Sequence, residues 1–229
     1  LKIAREMQAE GIGLYRSEFP FLIRSAVPSE EEQFFVYKQL FDEMPDKDIT
    51  IRTLDIGGDK LLAYQDLKPE VNPQLGLRAI RFSLHHRDIF HQQLRAILRA
   101  AAGAKKVRIM FPLISSLDEF YEAKKVVYDC ISALEREKLA HHPQPFIGIL
   151  VELPSIVEII DDIVECAVQF IKGGSHPFYL EGACELRKPY GFQKTGKVPV
   201  GSVHIPDQGI DLDDDQNGNE NGCHVEPLL

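Results

Sequence analysis

The stretch Val107-Arg-Ile-Met-Phe-Pro-Leu113, then Ser116-Leu-Asp-Glu119 leading into Phe120, Ala123, Val127, Ile131 and Leu134, then Phe146-Ile-Gly-Ile-Leu-Val151, reads as strand, helix, strand. The two flanking runs are short and rich in Ile, Val and Leu, as suits strands buried on both faces. Between them Ser116 and Glu119 stand at capping-box spacing, and the apolar residues that follow recur at helical period. The same alternation extends to both sides. Ile12 to Tyr15 and Ile49 to Leu54 read as earlier strands. Pro28-Ser29-Glu30-Glu31-Glu32 caps a helix that carries Phe34, Tyr37, Leu40, Phe41 and Met44 on one face. Phe90, Leu94, Ile97, Leu98 and Ala101 form a second apolar face, and Pro154, Ser155 and Glu158 open a helix running through Ile159, Ile160 and Ile163. Strands separated by helices imply βα units and a parallel sheet, because parallel neighbours need crossovers. The expected fold class is α/β, either an open doubly wound sheet or a (β/α)8 barrel.

Composition narrows the function classes. The 229 residues can bury a sizeable core, and 44% hydrophobic with 27% charged residues argues against wholesale disorder. A formal charge of -9 disfavours nucleic acid as a partner. The longest uncharged apolar run, Ile109 to Leu117, is too short to span a bilayer, so no membrane insertion is expected. Cys130, Cys166, Cys184 and Cys223 lack the spacing of a zinc site or a disulfide framework, and no secretory signal opens the sequence, which points to the cytoplasm. Opening on Leu1 rather than Met suggests that residues precede it. Charge and glycine mark the organisation: no Lys or Arg follows Lys197, whereas 9 of the 16 glycines lie after position 172. Residues 1–171 read as a packed body and 172–229 as a loop-rich or disordered acidic tail, with the boundary near Gly173-Gly174.

Chemistry is expected where strands end. Arg16 and Glu18 follow the first strand, Arg52 and Asp55 the second, Glu152 the fourth. Strand carboxyl ends converge on one mouth in either architecture. No GxGxxG follows the first strand, and Gly57-Gly58 after the second lacks the helix start of a dinucleotide fingerprint. Arginine forks match phosphate and carboxylate oxygens, while carboxylates beside them would repel such a ligand unless a cation bridged the two. A phosphorylated or carboxylated substrate with magnesium is the chemical expectation.

Four segments carry a family resemblance: Gly11-Ile-Gly-Leu-Tyr-Arg-Ser-Glu-Phe19, Pro28-Ser-Glu-Glu-Glu-Gln33, Arg52-Thr-Leu-Asp-Ile-Gly-Gly-Asp-Lys60 and Asn72-Pro-Gln-Leu-Gly-Leu-Arg-Ala-Ile-Arg81. Together with Gln93 to Arg99, Val107 to Pro112 and Ile147 to Pro154, they resemble in order the phosphoenolpyruvate-binding barrel of the phosphoenolpyruvate-protein phosphotransferases, enzyme I of the bacterial sugar phosphotransferase system. Gly-Leu-Tyr-Arg-Ser-Glu-Phe-Pro-Phe is closer to the nitrogen-regulatory paralogue, and the related dikinases and synthases match less well. The resemblance covers about residues 9–165. It implies a Mg2+-dependent barrel that takes the phosphoryl group from phosphoenolpyruvate and releases pyruvate. A histidine on a separate N-terminal domain receives the group and hands it to a histidine phosphocarrier protein, and the parent family is homodimeric. By the same resemblance Arg16, Arg52 and Arg78 are the catalytic arginines holding phosphate and carboxylate. Asp55 and Lys60 line the substrate mouth, Gly57-Gly58 lets that loop turn tightly, and Glu152 is a metal ligand.

The resemblance stops near Gln169-Phe-Ile-Lys172, before the family's Asn-Asp-Leu segment, a further arginine and the catalytic cysteine. Cys184 only echoes that cysteine's turn. The body supplies four or five of eight βα units, so an incomplete TIM-type barrel is expected, and an open barrel would expose strand edges and an apolar interior. The plainer readings stand beside these. Arg16, Arg52 and Arg78 could be ion-pair partners of Glu18, Asp55 and Asp59, and Glu152 a helix cap. His85-His86 and His141-His142 read as solvated helix-edge residues, and Asp211 to Asp215 as a solvated run, since an EF-hand would need glycine at Gln216 and a carboxylate at Gly222. Two functions remain open: the phosphoenolpyruvate-binding part of a working phosphotransferase, or an inactive copy serving at most as a binding or dimerisation module.

Overall fold

The computed structural model describes residues 1–23, 26–57, 76–165, 170–173 and 183–185, the last two segments by backbone alone. In chain order the elements are α1 (Lys2–Glu6), β1 (Gly11–Arg16), α2 (Phe19–Leu22), α3 (Glu30–Glu43), β2 (Asp48–Arg52), α4 (Ala79–His85) and α5 (Arg87–Ala100). These are followed by β3 (Val107–Phe111), α6 (Leu117–Arg136), β4 (Phe146–Val151), α7 (Pro154–Glu158), α8 (Ile160–Glu165), β5 (Phe170–Gly173) and β6 (Ala183–Glu185). One sheet holds the strands in the order β1-β2-β3-β4-β5-β6. The first five are parallel and β6 runs antiparallel to β5. A doubly wound sheet reverses its strand order at the switch point, and no reversal occurs among the described strands. The expected α/β class with a parallel sheet is what the chain adopts.

Alternation along the strands gives the sheet two different faces. Ile49, Ile51, Val107, Ile109, Phe111, Ile147, Ile149 and Val151 join one continuous core with Tyr37 and Leu40 of α3, Leu94 and Ile97 of α5, and Phe120 and Val127 of α6. Thr50 lies beside Arg108 and Arg52 beside Met110 in register, on the opposite face. There Met110 and Leu150 pack with Leu14 and Phe146. An apolar interior exposed by an open barrel was the expectation, but Met110 is 0% and Leu150 4% exposed. At the strands' amino ends Arg108 pairs with Asp48 at 2.8 Å. Gly11 is required there by close approach: a Cβ on it would sit 2.5 Å from the Asp48 carbonyl oxygen.

The caps form much as read. In α3 the Ser29 Oγ accepts from the Glu32 N–H while Glu32 reaches back to the Ser29 N–H, a complete capping box. In α6 the Ser116 Oγ accepts from the Glu119 N–H, but the Glu119 carboxylate bonds Ser115 instead of closing the box. The helix expected after Pro154 is broken at Ile159, whose φ of -114° and ψ of 19° separate α7 from α8. Ile156, Val157, Ile159 and Ile160 crowd β-branched side chains into this span, which weakens a helix. His142 is buried rather than solvated, its N–H donating to the Leu98 carbonyl, and His86 stacks on Phe82. Strand β6 lies inside the stretch read as tail. No helix among the described residues is long and apolar enough to cross a membrane.

Candidate functional site

Register brings the charged residues to one level. Arg16 is the Cα partner of Arg52, and Arg52 of Met110, so β1, β2 and β3 end side by side. The pairing of β1 with β2 shifts by one residue between Ile12 and Tyr15. This bulge puts Tyr15 level with Ile51, on the core face, where its ring meets Tyr37 edge-on at 6.1 Å. Without the extra residue Tyr15 would stand beside Arg52, so the bulge is what sets the two arginines level.

Beyond the strand ends the side chains form a chain of alternating charge. Arg52 Nη2 donates to Glu18 Oε1 at 2.5 Å, and Arg52 Nη1 lies 3.0 Å from Asp55 Oδ2. The other oxygen of Asp55 accepts from Arg78 Nη2 at 2.8 Å. Side-chain exposures of 10% for Glu18, 11% for Arg52, 9% for Asp55 and 21% for Arg78 place these bonds out of bulk water. The ion-pair partners considered for the arginines are thus real for Glu18 and Asp55. Arg52 still has a buried Nε–H that meets no acceptor among the described residues. Arg16 is exposed at the same level. Arg78 is delivered from the start of α4, where the Ala79 N–H donates to the Ile56 carbonyl and Ala79 takes a left-handed φ of 51°.

Glu152 closes the group from β4. Its Oε2 accepts the Leu113 N–H at 2.9 Å, and Leu113 is itself left-handed at φ 57°, a strained state for a leucine that the bond helps hold. Burial pushes the Glu152 carboxyl above the usual range; the Leu113 N–H opposes this, the Asp55 charge adds to it, and Arg52 and Arg78 oppose it. A raised carboxyl contributes stability that is complete below the ordinary glutamate value and is lost as pH rises through the elevated one. In chelator, Glu152→Gln should therefore unfold at higher urea than the parent at neutral pH and at the same urea in acid. A parent that is the more stable at neutral pH would refute this account of Glu152.

Of the six site residues read from the sequence, the structure gathers Arg52, Asp55, Arg78 and Glu152 and sets Arg16 level with them. Lys60 lies outside the described residues, as do Gly58, Asp59 and Cys166. Glu18, read from the sequence as a strand-end charge and a candidate ion-pair partner, grips Arg52, and Gln93, part of a matching segment, also holds the site. Among the described residues no three His, Cys, Asp or Glu side chains cluster as a metal site. Magnesium commonly takes only one or two protein carboxylates, with phosphate and water oxygens completing its shell, so Glu152 fits as one such ligand. Cys130 is buried and free, its thiol pushed up to about 12 by burial, which leaves it inert.

The class is a parallel α/β domain whose strand carboxyl ends collect arginines and carboxylates in one group. Residues 1–176 match the family model of the PEP-utilising enzymes, PEP-binding domain, and the chain belongs to that family. It is 45% identical over 168 residues to the phosphoenolpyruvate-protein phosphotransferase of Geobacillus stearothermophilus, covering 73% of this chain and 29% of that protein. With the protein of the same name from Mycoplasma capricolum it shares 46% over 165 residues, 72% and 28% of the two chains. The Buchnera aphidicola protein is 44% identical over 173 residues, 76% and 30%. The chain spans less than a third of the length of these relatives.

Proposed function

We propose that this chain supplies the phosphoenolpyruvate-binding part of a phosphotransferase that moves the phosphoryl group to a protein histidine and releases pyruvate. The observation that carries this reading is Arg52, gripped between Glu18 and Asp55 with its buried Nε–H unmet. A guanidinium so fixed has little side-chain entropy left to lose when its remaining Nη–H donors meet an incoming oxygen. Arg16 and Arg78 flank it and would share the phosphate and carboxylate; Asp55 orients both Arg52 and Arg78, and by the family resemblance Lys60 would add a cation. Arg16, Arg52 and Arg78 are balanced by Glu18, Asp55 and Glu152, so a multiply charged anion needs further positive charge. Bound Mg2+, held by Glu152, would supply it by neutralising charge on the phosphoryl oxygens. The strand order without reversal supports an arc of a (β/α)8 barrel, with the chemistry at its carboxyl-end mouth. The acceptor histidine, a histidine phosphocarrier protein, homodimerisation, a cytoplasmic location and a role in sugar transport belong to this reading by family.

Titration calorimetry of phosphoenolpyruvate into the full chain tests it. Saturable heat that requires Mg2+ is expected. Arg16→Ala is the informative variant, because an exposed arginine can be removed without unmaking the buried pairs: affinity should fall about tenfold or more with the melting temperature little changed. No saturable heat from a cooperatively melting chain would overturn the reading. Binding without pyruvate release when an acceptor histidine domain is added would favour the binding-module alternative.

A further inference from the structure

One uncharged side chain ties together the segments that carry the charges. Gln93, on α5, is 1% exposed. Its Oε1 accepts the Leu54 N–H at 2.9 Å, and its Nε2 donates to Ser17 Oγ at 3.0 Å and to Tyr37 Oη at 3.2 Å. Ser17 stands between Arg16 and Glu18, and Leu54 immediately precedes Asp55. The amide thus ties together the residues that precede the two carboxylates gripping Arg52. Ser17 and Tyr37 are each 0% exposed, so the network is closed to water. An amide of this length offers an acceptor on one side and two donors on the other, and all three are engaged. A core glutamine serving stability alone would not need partners on two strand-end segments; this one has them at both.

We infer that Gln93 is a positioning residue for the anion site, setting the separation of the Glu18 and Asp55 segments and with it the orientation of the Arg52 guanidinium. The inference rests on the site binding phosphoenolpyruvate. Three variants of the full chain separate its parts: Gln93→Leu removes every bond of the amide, Ser17→Ala removes the tie to one site segment, and Tyr37→Phe removes only the amide's core-side bond. The affinity for phosphoenolpyruvate with Mg2+, measured by calorimetry below the melting range, should drop about tenfold in Gln93→Leu and about threefold to tenfold in Ser17→Ala. Tyr37→Phe should lose thermal stability yet bind within about twofold of the parent. Gln93→Glu, which keeps an acceptor for Leu54 and can accept from the turned Ser17 and Tyr37 hydroxyls, should recover part of the affinity lost in Gln93→Leu.

Affinity that falls in step with melting temperature across all variants, or that is parental in Gln93→Leu, would overturn the role. If Gln93→Leu does not fold, Ser17→Ala against Tyr37→Phe decides by the same criterion. A second readout keeps this independent of the ligand: the Arg52 Nε–H resonance in 15N spectra of the ligand-free chain. If the parent fails to bind phosphoenolpyruvate, the functional reading falls. The resonance then decides for Gln93 if it shifts or broadens in Gln93→Leu and Ser17→Ala but not in Tyr37→Phe, and against it if it is unmoved.

Discussion

Arg52→Met should eliminate measurable binding of phosphoenolpyruvate and, with no ligand present, lower the unfolding free energy by about 3–5 kcal/mol. The ligand effect follows from the loss of a guanidinium held between two carboxylates at the strand ends. The stability effect has a separate cause. Glu18 and Asp55 are 10% and 9% exposed and face each other across Arg52, so methionine leaves two buried carboxylates deprived of the cation between them. Asp55 keeps its bond to Arg78; Glu18 loses its Arg52 partner. Arg52→Lys should fall between: a point charge can attend one carboxylate well but cannot fork between two. Urea unfolding followed by circular dichroism measures the stability term, and calorimetry the binding. Parental stability in Arg52→Met would mean that water reaches this group far more freely than its burial indicates, and the fixed-guanidinium argument would fail with it.

Phe111→Ala should cost about 3.5–6.5 kcal/mol, the sum of about 3–5 for the cavity and about 0.5–1.5 for aromatic contacts. Phe111 is 0% exposed at the end of β3. Its ring is edge-on to Phe90 of α5 at 6.2 Å and to Phe120 of α6 at 6.4 Å, so one side chain joins both helices to the sheet. A domain of this kind is stable by only about 5–15 kcal/mol, so the variant should lose about a quarter or more of its stability. Phe111→Leu, which keeps most of the volume, should cost well under half as much. Urea midpoints of the two variants and the parent check this; a Phe111→Ala chain within about 1 kcal/mol of the parent would mean that the three rings do not form a common core.

The elements were legible because their signals are local. Short aliphatic runs, Ser29 with Glu32 and Ser116 ahead of an apolar face announce strands and capped helices within a few residues, and the structure holds them there. Arg52, Asp55 and Glu152 were legible as a group because parallel strands must end at the same edge of the sheet. The bulge in β1 was not legible: a one-residue shift in pairing leaves the composition of the strand unchanged, yet it decides that Arg16 and not Tyr15 stands beside Arg52. Nor was Gln93, whose partner Ser17 is 76 positions away and whose surroundings in sequence are those of any amphipathic helix. The burial of His142 belongs to the same class, for it depends on what packs nearby rather than on the residue itself. By itself the sequence determined the class of fold, the edge at which the chemistry gathers and the residue types it uses, because periodicity, caps and strand polarity are properties of short stretches. Which carboxylate grips which arginine, and what holds them at that spacing, was decided only by the tertiary structure, since those bonds join residues that meet only when the sheet and its helices have packed.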